Sequence, residues 1–224
     1  MINLKKFKGF ALVQNDYSLE ATRLIRLNHL YDVPLTKVNN KNTPCPKEYV
    51  PCGSVEWCSI SLNKNIVPDY YPEWLSNHLH RKVWYAEKYP YTITCFIKPA
   101  NKYKRFTGFI HKAGSYKDKK RKCTYWCSEV IEFENEWRYY VTNGKIICGE
   151  WYWGDEVNTP DAPKLNISIP ENYSGALDFG SLKNGKIALV EAHHPFACGW
   201  YGKQDSDKLY FQWLLDGWEY MQNF

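Results

Sequence analysis

Apolar and polar residues follow two different rhythms along this chain, and the switches between them mark its elements. GFALVQ (9–14) is an apolar run of strand length. Asp16 and Ser18, both able to cap a helix, precede LEATRLIRLNHLY (19–31). There Leu19, Ala21, Leu24, Ile25 and Leu27 are spaced for one buried helical face. VPLTKV (33–38) is a Pro-bounded segment, so the chain opens on a βαβ-like unit. Pro44, Pro46 and Pro51 punctuate a loop, and GSVEWCSISL (53–62), with its alternation and β-branched residues, predicts a strand. PEWLSNHLHRKVWYAEK (72–88) carries a helical pattern between Pro68 and Pro90. Residues 1–65 are therefore expected to form a small α/β lobe, followed by a helical connector.

From residue 91 onward strand signals dominate. YTITCFIKPA (91–100), FTGFIH (106–111), TYWCSEVIEF (124–133), EWRYYVT (136–142) and GKIICGEWYW (144–153) predict successive strands. Asn143–Gly144 matches a tight hairpin turn. Two more short strands joined by a turn are expected within 176–192, and KLYFQWLLDGWEYMQNF (208–224) predicts a terminal helix with aromatic anchors. KAGSYKDKKRK (112–122) is a basic tip between strands.

Composition adds a few constraints. The aromatic fraction is 17%, with 10 Trp and 18 Tyr, which supplies ample core and cleft-lining material. The net charge of +5 favours anionic ligands such as nucleotides but is too small and dispersed to establish nucleic-acid binding. No apolar run has the length of a membrane span, and MINLKKFKGFALVQND lacks a signal-peptide core, so a cytoplasmic location is expected and no membrane partner. The eight cysteines are then expected as thiols. Neither Cys45, Cys52 and Cys58 nor Cys123 and Cys127 shows paired C-x-x-C zinc spacing, and Cys95, Cys127 and Cys148 read as small core residues.

Candidate chemistry concentrates in three stretches. Asp178 lies between Leu177 and Phe179, and Glu191 ends the run IALV, ahead of His193 and His194. Carboxylates in apolar strands need a partner, and a divalent metal is one; two half-exposed hairpin acids are the alternative. FIKPANKYKRFTG (96–108) places Lys98 at the end of an apolar strand and Lys104 just before Phe106, Thr107 and Gly108. Such lysines can hold phosphate, with small residues letting backbone N–H groups approach; a solvated lysine cluster is the alternative. CSEVIEFENEWRYYV (127–141) holds Glu129, Glu132, Glu134 and Glu136, and Glu136 shares a strand face with Arg138. A surface charge ladder would read the same way. His78 and His80 on the connector read as surface or interface residues, and GWYGKQDSD (199–207) could line a pocket.

In this order the pieces resemble the ATP-grasp superfamily. KPANKYKRFTG, SEVIEFENEWRYYV and LVEAHHPFACGWYG look like a phage-associated clade of small ATP-grasp proteins, and VPCGSVEW (50–57) resembles that clade's N-terminal segment. The resemblance covers roughly residues 9–202. It implies an α+β fold in which two lobes clasp ATP (66–128 and 129–224), preceded by a small α/β pre-ATP-grasp domain (1–65). It implies that Lys98 contacts the α- and β-phosphates and that Lys104 lies in the mobile phosphate loop. Glu129 would accept from the adenine amino group, the backbone of Val130, Ile131 and Glu132 would read the ring edge, and Glu136 would bind the ribose. Arg81 is a loose substitute for another phosphate lysine. Asp178, Glu191 and His193 would sit where the family holds magnesium. His193 departs from the family's usual Asn, and imidazole is a poorer magnesium ligand, which brings manganese into consideration.

The activity implied is an ATP-dependent carboxylate–amine (or thiol) ligase working through an acyl phosphate, acting on a peptide or protein. Arg138 would hold the carboxylate or acyl phosphate. A non-catalytic nucleotide-binding or interaction protein of phage origin, in the host cytoplasm, is the alternative. A nucleic-acid module, resting on KDKKRK (117–122), is a third reading and not the expected one.

Overall fold

The computed structural model describes residues 4–13, 18–115, 123–203 and 206–223. Asp16 and the basic tip 117–122 lie outside them.

The chain opens with β1 (Gly9–Val13), α1 (Leu19–Tyr31), β2 (Leu35–Val38), β3 (Tyr49–Cys52) and α2 (Val55–Leu62). The three strands form a parallel sheet in the order β2-β1-β3. Helix α1 keeps the bounds its sequence predicts, because Ser18 accepts from the Ala21 N–H at 3.1 Å and Asp32 ends it in the left-handed region. Its buried face is narrower than predicted. Ala21, Leu24 and Leu27 are buried, whereas Leu19 is 77% and Ile25 40% exposed.

Segment 53–62 is a helix, not a strand. Ser54 caps it by accepting from the Trp57 N–H at 3.3 Å, and Asn63 closes it with φ 51°. The cap at Ser54 outweighs the β-branched content of so short a run. Pro51 belongs to β3 and not to a loop; β3 is an edge strand, where a missing N–H is tolerated. The expected connector helix is also shorter. A 3-10 helix covers Glu73–His78, His80 adopts φ 49°, and the chain then becomes β4 (Val83–Ala86).

Strands β4, β5 (Cys95–Pro99), β6 (Phe109–His111) and β7 (Tyr125–Ser128) form an antiparallel sheet in the order β4-β7-β5-β6. Cys95 and Cys127 are buried there, as expected of small core residues. Strand β7 stops at Ser128, short of the predicted 133, and residues 129–134 carry no strand pairing. They cross to a second antiparallel sheet made of β8 (Asn135–Thr142), β9 (Lys145–Trp153), β10 (Gly175–Ser181) and β11 (Ile187–His193), in the order β11-β10-β8-β9. Asn143 and Gly144, with φ of 45° and 73°, make the predicted tight turn, and a Cβ on Gly144 would lie 2.8 Å from the Glu171 backbone.

Helix α3 (Asp207–Asn223) ties the first and last sheets together. Phe211 stacks on Phe10 of β1 at 4.9 Å, and Trp213 meets Tyr140 of β8 edge-on at 5.1 Å. Its N-terminus is anchored by Asp207, which pairs with Arg23 and Arg26 of α1. Among the described residues no helix is long and apolar enough to cross a membrane.

The narrowed face of α1 can be checked directly. Leu24→Ala should cost about 2–5 kcal/mol of unfolding free energy. Leu19→Ala should change it by less than about 0.5 kcal/mol. Urea denaturation measures both, and equal losses would contradict the packing described.

Candidate active site

Two clefts flank the third sheet and meet at one cluster of charges. The larger, about 730 Å3, lies between the two antiparallel sheets. Strand alternation builds its wall. On β5 Cys95, Ile97 and Pro99 are buried on one face, so Phe96 and Lys98 point to the other, into the cleft. The crossing segment Glu129–Phe133 forms its back, and Glu136, Trp153 and Glu191 its far side. Gly108 belongs here because a Cβ would lie 2.6 Å from Phe96 and 3.0 Å from Lys98. Thr107 and Gly108 thus keep the cleft open above the lysine.

The cluster arises from register. Arg138 on β8 stands opposite Asp178 on β10, which stands opposite Glu191 on β11. Arg138 donates from Nε and Nη2 to the two Asp178 oxygens, each at 2.7 Å. His193 Nε2 lies 3.2 Å from Asp178 Oδ2 and 3.4 Å from Glu191 Oε1. Lys98 reaches across from the other sheet to pair with Glu191. Tyr152 donates to Glu136 and contacts Asp178 at 3.3 Å. The Arg138 guanidinium also lies 5.1 Å from both the Tyr152 and Tyr201 rings.

Burial and pairing pull against each other throughout. Burial pushes the Asp178 and Glu191 carboxyls up, but Arg138 outweighs it at Asp178 and Lys98 and His193 outweigh it at Glu191, so both are held below the ordinary range. Burial likewise pulls Lys98 and His193 down, and the facing carboxylates hold both above their usual values. At Glu136 burial wins, and its carboxyl is raised.

Asp178, Glu191 and His193 offer ligand atoms that all lie within 4.8 Å of one another. Two carboxylates and an imidazole suit a divalent cation, and the buried His193 Nδ1 has no hydrogen-bond partner among the described residues. The three residues therefore fit such an ion. Lys98 and Arg138 occupy the same carboxylates, so a cation would have to share or displace them.

Of the residues singled out in the sequence, Lys98, Glu129, Val130, Ile131, Glu132, Glu136 and Glu191 line the larger cleft. Glu129 Oε2 accepts from the Lys82 N–H at 2.9 Å, and Glu132 pairs with Lys183 in the open at 2.7 Å. Arg81 also lines this cleft, but it donates to the Leu189 and Val190 carbonyls at 2.5 and 2.9 Å. Those carbonyls flank a β-bulge in β11, so Arg81 holds main chain. Lys104, Arg138 and His193 instead line the second cleft, of about 450 Å3, between the first layer and the third sheet. His78 packs edge-on against Phe179, and His194, next to Tyr103, is pulled down to about 4 by burial.

Several site residues escaped the sequence reading. Tyr152 lies in the run EWYW, which alternation marks only as strand, and Cys198 and Glu20 reach the second cleft through chain crossings that no local pattern records. Burial pushes the Cys198 thiol up to about 12, so it is protonated and a poor nucleophile.

With this geometry in place, comparison with known proteins decides the family. The family described as ATP-grasp domain, clade family 2, matches residues 78–210, more than half of the chain. The chain belongs to the ATP-grasp superfamily, in that family. Its fold is similar to the crystal structure of a RimK domain ATP-grasp protein from Sphaerobacter thermophilus DSM 20745. The TM-score is 0.50 at 9% identity, covering 96% of this chain and 98% of that one. The ATP-grasp ligase PsnB, solved with a minimal precursor, is also similar, with a TM-score of 0.49 at 8% identity over 88% and 93% of the two chains. No curated protein sequence matches this ATP-grasp chain.

Because Asp178 is fully buried against Arg138, Arg138→Ala should destabilise this ATP-grasp fold by about 3–5 kcal/mol. Lys98→Ala, at the cleft surface, should cost clearly less. Denaturation curves that showed the two equal would mean that Arg138 is not the structural partner of Asp178.

Proposed function

We propose that this ATP-grasp protein is an ATP-dependent ligase that joins a carboxylate to an amine or thiol through an acyl phosphate. The observation that supports it most is the meeting of two clefts at one charged cluster. The larger has room for a nucleotide, the smaller for a second substrate, and Asp178, Glu191 and His193 stand where they join.

In this reading the ring edge of ATP lies along the backbone of Val130, Ile131 and Glu132, with Glu129 accepting from the amino group and Glu136 bonding the ribose. Lys98 turns from Glu191 to the phosphates and supplies fixed positive charge. A divalent ion held by Asp178, Glu191 and His193 would neutralise phosphate charge during transfer. Magnesium is the family's ion, and His193 extends the range to manganese. Lys104 stands on the second-cleft side, where it would meet the transferred phosphoryl group or the acid. Arg138 has two nitrogens committed to Asp178, so only its Nη1 edge, which also donates to the Gly199 carbonyl at 3.3 Å, faces the second substrate. The protein's contribution is alignment and charge neutralisation. A peptide or protein is the proposed acceptor.

One observation favours a second reading, a nucleotide-binding or interaction protein that does not turn over. The candidate metal carboxylates are already satisfied by Lys98 and Arg138.

Calorimetric titration with a non-hydrolysable ATP analogue separates the readings from a failure of both. Wild type should bind the analogue more tightly with magnesium or manganese than without, and Glu191→Ala should lose the metal dependence. No binding to wild type would remove the nucleotide site. Lys98→Ala and Glu191→Ala should each abolish ATP turnover with the fold intact by circular dichroism. Wild-type-like turnover in either variant would overturn these assignments, whereas metal-dependent binding with no turnover on any acid would favour the second reading.

A further inference from the structure

The second cleft carries charge of both signs in a fixed arrangement. Arg138 and Lys104 bring positive charge, and Glu20, in the first turn of α1, is the single acid among the described residues of its wall. One peptide unit holds Glu20 and Arg138 apart. The Gly199 carbonyl accepts from Arg138 Nη1 at 3.3 Å and from the Tyr140 hydroxyl at 2.8 Å. The N–H of the same unit, on Trp200, donates to Glu20 Oε1 at 3.3 Å. In a trans peptide C=O and N–H point in opposite directions, so guanidinium and carboxylate lie on opposite sides of that unit. The remaining wall is largely apolar, with Phe196, Trp213 and Leu214 among its residues.

We propose that this cleft binds a free α-amino acid with an apolar side chain, its carboxylate toward Arg138 and its ammonium toward Glu20, as the acid that the ligase activates. The inference rests on the ligase reading above. A volume of about 450 Å3 is that of a small-molecule site. A peptide C-terminus would leave Glu20 facing no cation, and a dicarboxylate would set a second negative charge against it. A desolvated charge without its partner is costly, so an occupant with both charges close together is preferred. Orientation follows from position, because the carboxylate must reach the cluster shared with the larger cleft. There a carboxylate oxygen attacks the γ-phosphorus of ATP, the β–γ bridging P–O bond breaks and ADP leaves. An amine nitrogen then attacks the acyl carbon, the bond from that carbon to the phosphate oxygen breaks, and phosphate leaves as the amine releases a proton to water.

Hydroxylamine trapping of the activated acid tests this, with ADP release measured alongside. The probes are L-leucine and L-phenylalanine, their N-acetyl derivatives and the matching deaminated acids. Wild type should form hydroxamate from the free amino acids with kcat/KM about tenfold or more above the other two sets. Glu20→Gln keeps an acceptor for the Trp200 N–H but removes the charge. It should raise KM for the free amino acids and bring the preference to within about threefold, with binding of the ATP analogue as the fold control. Equal use of N-acetyl or deaminated acids by wild type, or an unchanged preference in Glu20→Gln, would overturn the proposal. If the analogue binds and none of the twenty amino acids stimulates ADP release, the amino-acid assignment fails and the nucleotide site stands. If the analogue does not bind, both fail.

Discussion

The structure depends on keeping a row of buried charges paired. Arg138, Asp178 and Glu191 occupy adjacent positions on three neighbouring strands, and Lys98 completes the row from the opposing sheet. Signs alternate along it, which is what allows carboxylates to remain ionised among apolar strands. Lys98 and Glu191 make the row span the cleft, so the two sheets are joined electrostatically at the point where chemistry would occur. A nucleotide and a cation entering this cleft exchange partners with existing ion pairs instead of adding charge to an empty hole. Exchange of this kind limits the desolvation cost of binding, because the new charges inherit an environment already arranged for them.

Aromatic packing supplies the rigid backing. Tyr140 of β8 lies against Trp200 and Trp213, donates to the Gly199 carbonyl, and accepts from the Tyr201 N–H at 2.6 Å. One side chain thus fixes both the segment after β11 and its relation to α3. The wall of the second cleft inherits its shape from that contact, which is why a loop of Gly, Trp and Tyr can hold charged groups in place.

Much of the fold was legible because its signals are local. The cap at Ser18 sets the start of α1, and the alternation of β5 sends Lys98 into the cleft while Ile97 turns to the core. Asp178 and Glu191 stood out as acids in apolar runs, and pairing of β10 with β11 brings them together. Where local signals compete, the sequence misleads. Segment 53–62 has strand-like residues but a strong helix cap, and the cap decides. Between 72 and 88 helical spacing persists, yet His80 in the left-handed region ends the turn and Arg81 is captured by carbonyls of β11. The second cleft was not legible at all, because Glu20, Cys52, Lys104 and Gly199 meet only through the order in which layers stack. Lys104 illustrates this: six residues from Lys98 in sequence, it faces a different cleft.

The attachment of Arg81 to the β11 main chain has a mechanical consequence. The segment 129–134 is one link between the two antiparallel sheets, and Glu129 exchanges two hydrogen bonds with Lys82, the neighbour of Arg81. Both links therefore sit side by side at one edge of the larger cleft. Two adjacent pivots define an axle, so any swing of one sheet against the other turns about that edge. Atoms near Glu129 then travel little, while the strand ends beyond Gly108 sweep the longest arc. A ligand gripped at the pivot would stay in register through such a swing, and the far rim would act as the jaw.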